Sequence, residues 1–457
     1  MAKTFDAIII GAGQAGPSLA GRLTDAGMTV AVVERHLFGG TCVNTGCTPT
    51  KTLIANARVA YQMRRASDFG VTIGGGVAVD MGRVKTRMEA VVASSRDGLE
   101  KWLRGMPGCS VYQEHARFES PREIRIKDSV ISAERIFLNV GGRARVPDMP
   151  GIDRVPYLTN SSMLKLEVLP PHLLIVGGSY VGLEFAQMYR RFGSEVTVIE
   201  KGARLVARED EDVALEIRRI LEAEGIGFRT EAECIRLSSR HPDVVVDVDC
   251  NSGDREVSGS HVLLAVGRRP NTDDLGLEKA GIAVDSRGYI VVDEELRTSV
   301  PGVWALGDCN GRGAFTHTAY NDFEIAAANV LDGDTRRVSD RIPCYGLFID
   351  PPLGRVGLTE SNARSLGRKI RIGKRAMTRV GRAVEKGETS GLMKVIVDAE
   401  SQAILGAAIL GVGGDEAVHG IIDTMSAKVP YTTLLRTMHI HPTVSELVPT
   451  ILGELNP

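Results

Sequence analysis

FDAIIIGAGQAGPSLAGRLTDAGMTVAVVE, residues Phe5 to Glu34, reads as a strand, a glycine turn, a helix and a second strand. An apolar, β-branched run (Ala7 to Ile10) meets Gly11-x-Gly13-x-x-Gly16, a helical stretch starts at Pro17, and Thr29 to Val33 closes on Glu34. A near-copy, LLIVGGSYVGLEFAQMYRRFGSEVTVIE, occupies Leu173 to Glu200, with Gly177 first and Gly182 in the third-glycine place. From first glycine to closing glutamate is 23 positions in both copies. A parallel βαβ unit that holds a dinucleotide needs this layout: a tight turn, close approach of the pyrophosphate, and tight helix–strand packing. The helix N-terminus offers free N–H groups to the pyrophosphate, and the closing carboxylate accepts from the ribose hydroxyls. A lone GxGxxG is a weak signal in a chain with 51 glycines. Two copies with matched strands and matched acids are a strong one, and they predict two dinucleotide-binding folds. The second copy departs at Ser179, where the middle glycine is expected, a substitution that restricts backbone approach to phosphate.

The 457 residues suggest two to four domains at roughly 100–200 residues each. A net charge of −2 without a long run of like charge excludes a nucleic-acid or anionic-membrane footprint. No stretch reaches about 18 apolar residues, so no membrane span is expected, and the N-terminal apolar run is too short for a secretory signal. A cytoplasmic protein is expected. Seven cysteines without a signal argue against a disulfide scaffold. Cys109, Cys234, Cys250, Cys309 and Cys344 are scattered and read as small core residues.

The chain between and after the two copies is β-rich. Strand segments are expected near Val111–Phe118, Glu123–Ile126, Arg135–Val140, Val244–Val248 and His261–Val266. Glycine clusters at Asn139-Val140-Gly141-Gly142 and Ala265-Val266-Gly267-Arg268-Arg269-Pro270 are placed to return the chain between domains. Gly302 to Asp308, GVWALGD, reads as a short buried strand ending in an acid, and from about Arg341 the composition is that of a separate module.

Cys42 and Cys47 lie five positions apart in Gly39-Gly40-Thr41-Cys42-Val43-Asn44-Thr45-Gly46-Cys47-Thr48-Pro49-Thr50-Lys51, ahead of an apparent helix. A sulfur at a helix N-terminus and near a lysine has its thiolate favoured, the condition for reactivity. Zinc-type spacing would want further ligands, and His36 is the only local candidate; no metal site is expected.

The segment GGTCVNTGCTPTK resembles the redox-disulfide segment of the pyridine nucleotide-disulfide oxidoreductases, the group of glutathione reductase, dihydrolipoamide dehydrogenase and mercuric reductase. The likeness extends to both dinucleotide folds, to Ala305-Leu306-Gly307-Asp308, and to His439-Ile440-His441-Pro442-Thr443-Val444-Ser445-Glu446. It implies an α/β chain with two Rossmann-like dinucleotide-binding domains plus a C-terminal α+β dimerisation domain. FAD would be bound by residues 1–150 and 270–339, NAD(P) by 151–269, and dimerisation would fall to 340–457. It implies that Cys47 is the charge-transfer thiolate and Cys42 the interchange thiol. Gly11, Gly13, Gly16 and Glu34 would hold the ADP half of FAD, with Gly40, Thr41, Gly141, Gly267, Asp308 and His317 completing the cofactor contacts. Lys51 would sit by the flavin and pair with Glu184. Gly177, Ser179, Gly182 and Glu200 would bind the nicotinamide dinucleotide, and Tyr180 resembles the aromatic lid that it displaces. His441 and Glu446 would be an acid–base pair contributed across a homodimer.

Glu200 favours NADH, because it repels a 2′-phosphate while bonding a free 2′-hydroxyl; Lys201 and Arg204 lie just beyond it. The segments TCVNTGCTPTKT, PPLGRVGLTE and MHIHPTVSE look most like the mercuric-reductase-like branch. Yet no cysteine follows Cys344, and His441, which mercuric reductases usually lack, is present. The expectation is therefore electron flow from NAD(P)H through FAD to Cys42–Cys47 and on to a disulfide or thiol substrate. Metal-ion reduction and dihydrolipoamide oxidation are the alternatives.

Overall fold

The structure, a computed structural model, describes residues 3–249 and 255–456. They form two compact units. The first lies within Met1–Thr52, Gly82–Arg145 and Val266–Arg341, and the second within Leu53–Met81, Val146–Ala265 and Ile342–Pro457.

The first unit is built on β1 (Lys3–Ile10), α1 (Ala15–Asp25) and β2 (Val30–Val33). These strands are buried on both faces, which is why they read as continuous apolar runs rather than alternating ones. Next in the sheet come β3 (Cys109–Tyr112), β4 (Ala116–Ser120), β5 (Glu123–Ile126) and β6 (Ser129–Leu138), in the order β3-β2-β1-β6-β5-β4. β3, β2, β1 and β6 run parallel, and β5 and β4 return antiparallel. Strand Val303–Ala305 adds in parallel along the C-terminal half of β6. The apolar core, from Ile8 and Ile9 to Phe137, Leu306 and Ala326, fills this unit.

The segment expected at Val111–Phe118 is two strands, on opposite edges of the sheet. Polar Gln113-Glu114-His115 separates them: Gln113 bonds the His36 carbonyl (2.9 Å) and His115 the Asp274 carbonyl (3.1 Å), which turns the chain out of β3. The two glycine clusters meet as an antiparallel ribbon, Gly142–Ala144 against Arg268–Pro270, next to the points where the chain passes between units.

In the second unit, parallel strands Gly227–Arg229, Glu195–Ile199, His172–Val176 and His261–Leu264 form one sheet in that order, with helix Tyr180–Phe192 crossing between two of them. The later residues make a five-stranded antiparallel sheet: Cys344–Leu347, Leu353–Gly357, Ile404–Leu410, Leu392–Asp398 and Ile370–Ala376. Short helices, from Glu360–Ser365 to Leu447–Gly453, accompany it. This antiparallel sheet with its helices is the C-terminal α+β part that the family resemblance implies; it falls in the same compact unit as residues 146–265. Among the described residues no helix is long and apolar enough to cross a membrane.

A buried charge cluster in this unit ties the antiparallel sheet, through Lys394, to the starts of helices Glu211–Ala223 and Glu360–Ser365. Lys394, 2% exposed, reaches Glu360 (2.8 Å), Asp212 (3.2 Å) and Asp210 (3.3 Å). Asp210 precedes helix Glu211–Ala223 and also accepts from the Glu360 (3.0 Å) and Ser361 (3.2 Å) amides. Burial raises the cost of its charge, but these amides and the Lys394 ammonium hold its carboxyl below the usual range. Removing one member of such a cluster leaves the others charged and uncompensated. Lys394→Ala is expected to lose about 3–5 kcal/mol in urea unfolding. Lys374→Ala, which removes a half-exposed cation 2.9 Å from Asp212, should lose about 1 kcal/mol or less.

Candidate active site

Gly11 has φ +104°, and a Cβ there would stand 2.2 Å from the Asn139 carbonyl oxygen. A Cβ on Gly16 would stand 2.3 Å from the Gly11 carbonyl oxygen, so both positions exclude a side chain. The closing glutamate does two jobs at once. Glu34 accepts from the Ala12 amide (2.8 Å) with one oxygen and from the His36 amide (2.8 Å) with the other. The second fold repeats this bond for bond. Gly177 has φ +116°, a Cβ on Gly182 would lie 2.0 Å from the Gly177 oxygen, and Glu200 accepts from Gly178 (2.6 Å) and Gly202 (2.7 Å). In each copy the carboxylate is fixed by the glycine turn and keeps further lone pairs for ribose hydroxyls. Ser179 is extended (φ −109°, ψ −171°), a conformation open to any residue, so the serine costs the turn nothing. Lys201 and Arg204 are exposed.

The cysteine segment is docked on the first glycine turn. The Gly39 amide donates to the Ala12 carbonyl (2.9 Å), and a Cβ on Gly40 would come 2.9 Å from the Gly13 Cα. That contact requires a glycine at 40, while φ +92° and a Cβ position 2.6 Å from the Val43 side chain require one at 39. Cys42 lies in α2 (Gly40–Thr45), which Asn44 ties back to the Phe38 (2.8 Å) and Gly40 (3.0 Å) carbonyls. Cys47 opens α3 (Cys47–Arg64), with Lys51 one turn further on.

The two thiols are electrostatically unequal. A hydrogen bond from Cys42 is the main influence on Cys47, and the Thr316 hydroxyl 3.1 Å away, the Lys51 charge and its own amide add to it, so that Cys47 is lowered to about 6. Cys42 is pushed far up by the same bond and by burial. One sulfur is a thiolate at neutral pH while its neighbour keeps the proton.

Four residues that the sequence reading did not single out frame this site. Thr316 opens helix Thr316–Ala327 and contacts Cys47; His317 follows it, stacked on Phe315 at 5.3 Å. Asn139 lies under the glycine turn and donates to the Gly11 oxygen (3.3 Å). Arg268 gathers two expected cofactor positions, bonding Asp308 (3.2 Å) and Thr41 (3.3 Å), and also donates to the Gly142 carbonyl. Asp322, 1% exposed, accepts from the Gly307 amide (2.7 Å), Asn310 (2.9 Å) and Arg341, and so fixes the turn that carries Asp308. Gly141 (φ +65°) and Gly267 (φ +107°) flank the ribbon. A cradle closed to Cβ atoms, a pinned carboxylate and polar side chains converging beside a reactive thiol pair fit FAD in the first unit. The second turn fits a nicotinamide dinucleotide.

In the second unit Glu184 is buried and accepts from the Phe348 amide (3.0 Å), and Tyr180 is the first residue of its helix. His441 is 82% exposed in its side chain, and its Nδ1 lies 2.8 Å from Glu446. The Thr443 hydroxyl, bonded to the Ile440 carbonyl (2.7 Å), accepts from the Glu446 amide (3.2 Å) and sets that spacing. A carboxylate at Nδ1 selects the tautomer that leaves Nε2 as the base. Cys309 is buried, and Cys109 and Cys344 are half-buried, as small core or near-core residues. Cys250 and the side chain of Cys234 lie outside the described residues.

This geometry defines a flavin-dependent enzyme class, and the chain belongs to the pyridine nucleotide-disulphide oxidoreductase family. The family profile matches residues 5–322, and the profile of the family's dimerisation domain matches residues 344–451. Among its relatives is the probable pyridine nucleotide-disulfide oxidoreductase RclA of Escherichia coli, 36% identical over 97% of each chain. The solved Cu(II) complex of that protein, described as an HOCl-induced flavoprotein disulfide reductase, superposes with a TM-score of 0.90, covering 99% of this chain and 100% of its own. A dihydrolipoyl dehydrogenase of Chlamydia muridarum is 32% identical, covering 98% of this chain and 96% of its own. A mercuric reductase of Streptomyces lividans is also 32% identical, covering 97% and 94%. The family implies FAD and a pyridine nucleotide as cofactors.

In the reduced protein, alkylation of Cys47 followed by peptide mass mapping should titrate with a midpoint near pH 6, its rate falling as the pH drops through that value. Cys42 should stay unreactive through neutrality, and Thr316→Val should move the Cys47 midpoint upward. A Cys47 midpoint in the ordinary thiol range would contradict the electrostatic reading.

Proposed function

We propose that this chain passes electrons from a reduced nicotinamide dinucleotide, through FAD, to the Cys42–Cys47 pair and on to a small disulfide substrate. The observation that carries this reading is the unequal thiol pair docked on a dinucleotide cradle. FAD, when bound, takes up the hydride equivalent and makes two electrons available to the disulfide. Gly11, Gly13, Gly16, Glu34, Gly40, Thr41, Gly141, Gly267, Asp308 and His317 would hold it, with residues 1–150 and 270–339 as its domain. Gly177, Ser179, Gly182 and Glu200 would hold the nicotinamide dinucleotide within 151–269, with Tyr180 as the aromatic lid and Glu184 partnering Lys51. Residues 340–457 would pair two copies of the chain.

The thiol chemistry follows from the two proton affinities. Cys42 retains its proton, so it needs a base before it can attack. His441 of the partner subunit, oriented by Glu446, is the proposed base. The Cys42 sulfur then bonds one substrate sulfur, the substrate S–S bond breaks, and the leaving thiolate takes the proton back from the imidazolium. Cys47, already a thiolate, attacks the Cys42 sulfur of this mixed disulfide. The second substrate sulfur departs as a thiolate, which takes its proton from water, and the Cys42–Cys47 disulfide is restored.

The bonding of Glu200 supports NADH over NADPH: both its oxygens are already held by amides at the place a 2′-phosphate would occupy. A metal-ion substrate is the second reading, supported by the likeness to a mercuric reductase and to a disulfide reductase solved with Cu(II).

A panel of oxidised thiols, Hg(II) and Cu(II), each assayed with NADH and with NADPH, tests these readings. Disulfide-dependent oxidation of NADH should exceed that of NADPH, and Glu200→Ala should narrow the gap. His441→Ala should lower kcat about 10²-fold, and Cys42→Ser should abolish disulfide turnover. Turnover with every disulfide unaffected by Cys42→Ser would refute the scheme.

A further inference from the structure

Helix Tyr180–Phe192 turns one buried face to a short piece of backbone just beyond strand Cys344–Leu347. Glu184, Gln187 and Arg191 stand at i, i+3 and i+7 and so share that face. All three are buried, at 5%, 3% and 4% exposure. Each bonds the segment Phe348-Ile349-Asp350. The Phe348 amide donates to Glu184 Oε1 (3.0 Å), and the Asp350 amide donates to Gln187 Oε1 (2.7 Å). Gln187 Nε2 returns a bond to the Asp350 carbonyl (2.8 Å), while Arg191 reaches that carbonyl (3.3 Å) and the Asp350 carboxylate (2.6 Å). Every member belongs to the second unit.

The three contacts are not equivalent. Arg191 is a buried charge and needs anions beside it. Glu224 accepts from two of its nitrogens (2.8 and 2.7 Å), Asp350 accepts from a third, and the Tyr61 ring lies 3.8 Å from the guanidinium carbon. Asp350 also pairs with Arg58, so removing its carboxylate would leave two guanidinium groups short of an anion. Gln187 carries no charge. It grips Asp350 through both ends of its amide and adds a bond to Glu224 (2.8 Å). A buried backbone amide needs an acceptor, and Gln187 supplies the one for Asp350 that fixes where this segment lies against the helix. Phe348, two residues earlier, is thereby presented to Glu184.

We propose that Gln187 is a positioning residue for Glu184: by pinning Asp350 it fixes the Phe348 amide, and that amide holds the Glu184 carboxylate in the orientation that partners Lys51. The proposal rests on the reading of Glu184 as the partner of Lys51 beside the flavin. One Glu184 oxygen is held by a backbone amide, so the orientation of the carboxylate depends on the segment that carries this amide. Gln187 lies one helical turn beyond Glu184, away from the glycine turn, and is no member of the fingerprint that receives the dinucleotide. Losing its amide should accordingly slow electron transfer to the flavin without weakening the binding of NADH.

The test uses the full-length, FAD-loaded, oxidised protein and stopped-flow reduction of the flavin over a range of NADH concentrations. Gln187→Met keeps the length and burial of the side chain and removes its hydrogen bonds. It should lower the limiting rate about 10-fold and leave the half-saturating NADH concentration within about 2-fold of its original value. Glu184→Gln should also slow reduction, and adding Gln187→Met to it should lower the rate no further, because the second change acts through the first. Gln187→Leu removes the same bonds and is held to the same outcomes, so one misfolded variant does not end the test. The positioning role is overturned if Gln187→Met leaves the limiting rate unchanged, or if rate and half-saturation shift together. It is equally overturned if the two losses multiply in the double variant, or if neither Gln187 variant retains FAD. Glu184→Gln separates the two layers. Reduction at the original rate in that variant removes the reading of Glu184, and the positioning role with it. Slow reduction there beside an unaffected Gln187→Met removes the positioning role alone.

Discussion

Both dinucleotide turns depend on a missing atom. No Cβ fits at Gly16 or Gly182, because each would fall within 2.3 Å of the carbonyl oxygen of the first glycine of its own turn. That contact brings the helix N-terminus against the strand end, where its free amides face outward together. The rest follows in sequence. The second strand returns alongside the first, its closing glutamate reaches back to the turn, and in the first unit the cysteine loop settles on the same turn through Gly39 and Gly40. A dinucleotide site and a redox site thus share one piece of backbone.

The sulfur chemistry depends on an asymmetry of surroundings rather than on the cysteines themselves. Cys47 gathers a helix N-terminus, a lysine one turn away, a threonine hydroxyl and the thiol hydrogen of Cys42. Cys42 gathers burial and an acceptor. A symmetric pair would hold two protons or two charges near neutrality. This one holds one of each, which divides the work between a sulfur that waits as an anion and a sulfur that needs help to become one.

What could be read from the chain alone was whatever has local spacing. The glycines, Glu34 and Glu200 sit at fixed distances within one βαβ unit, and His441 with Glu446 is a five-residue pattern fixed by the intervening threonine. Thr316, Arg268, Asn139 and Asp322 carry no such mark. Thr316 is 269 positions from Cys47 and Arg268 is 227 from Thr41, so only tertiary folding brings them to the site. The strand boundary misread near Val111–Phe118 has the same origin. Its two halves are equally β-prone, and only the bonds of Gln113 and His115 to distant carbonyls separate them. The Ser179 departure ran the other way: the sequence suggested a steric cost, and the extended backbone removes it.

The remaining described cysteines give this arrangement a chemical selectivity. Burial pushes Cys109 up to about 11 and Cys309 to about 12, and raises Cys344 as well. A thiol-seeking electrophile or oxidant at neutral pH therefore meets one ionised sulfur among the five, and it is the one paired with a resolving neighbour. Among these five described cysteines, oxidation is directed to the pair in which a disulfide can form and be reopened.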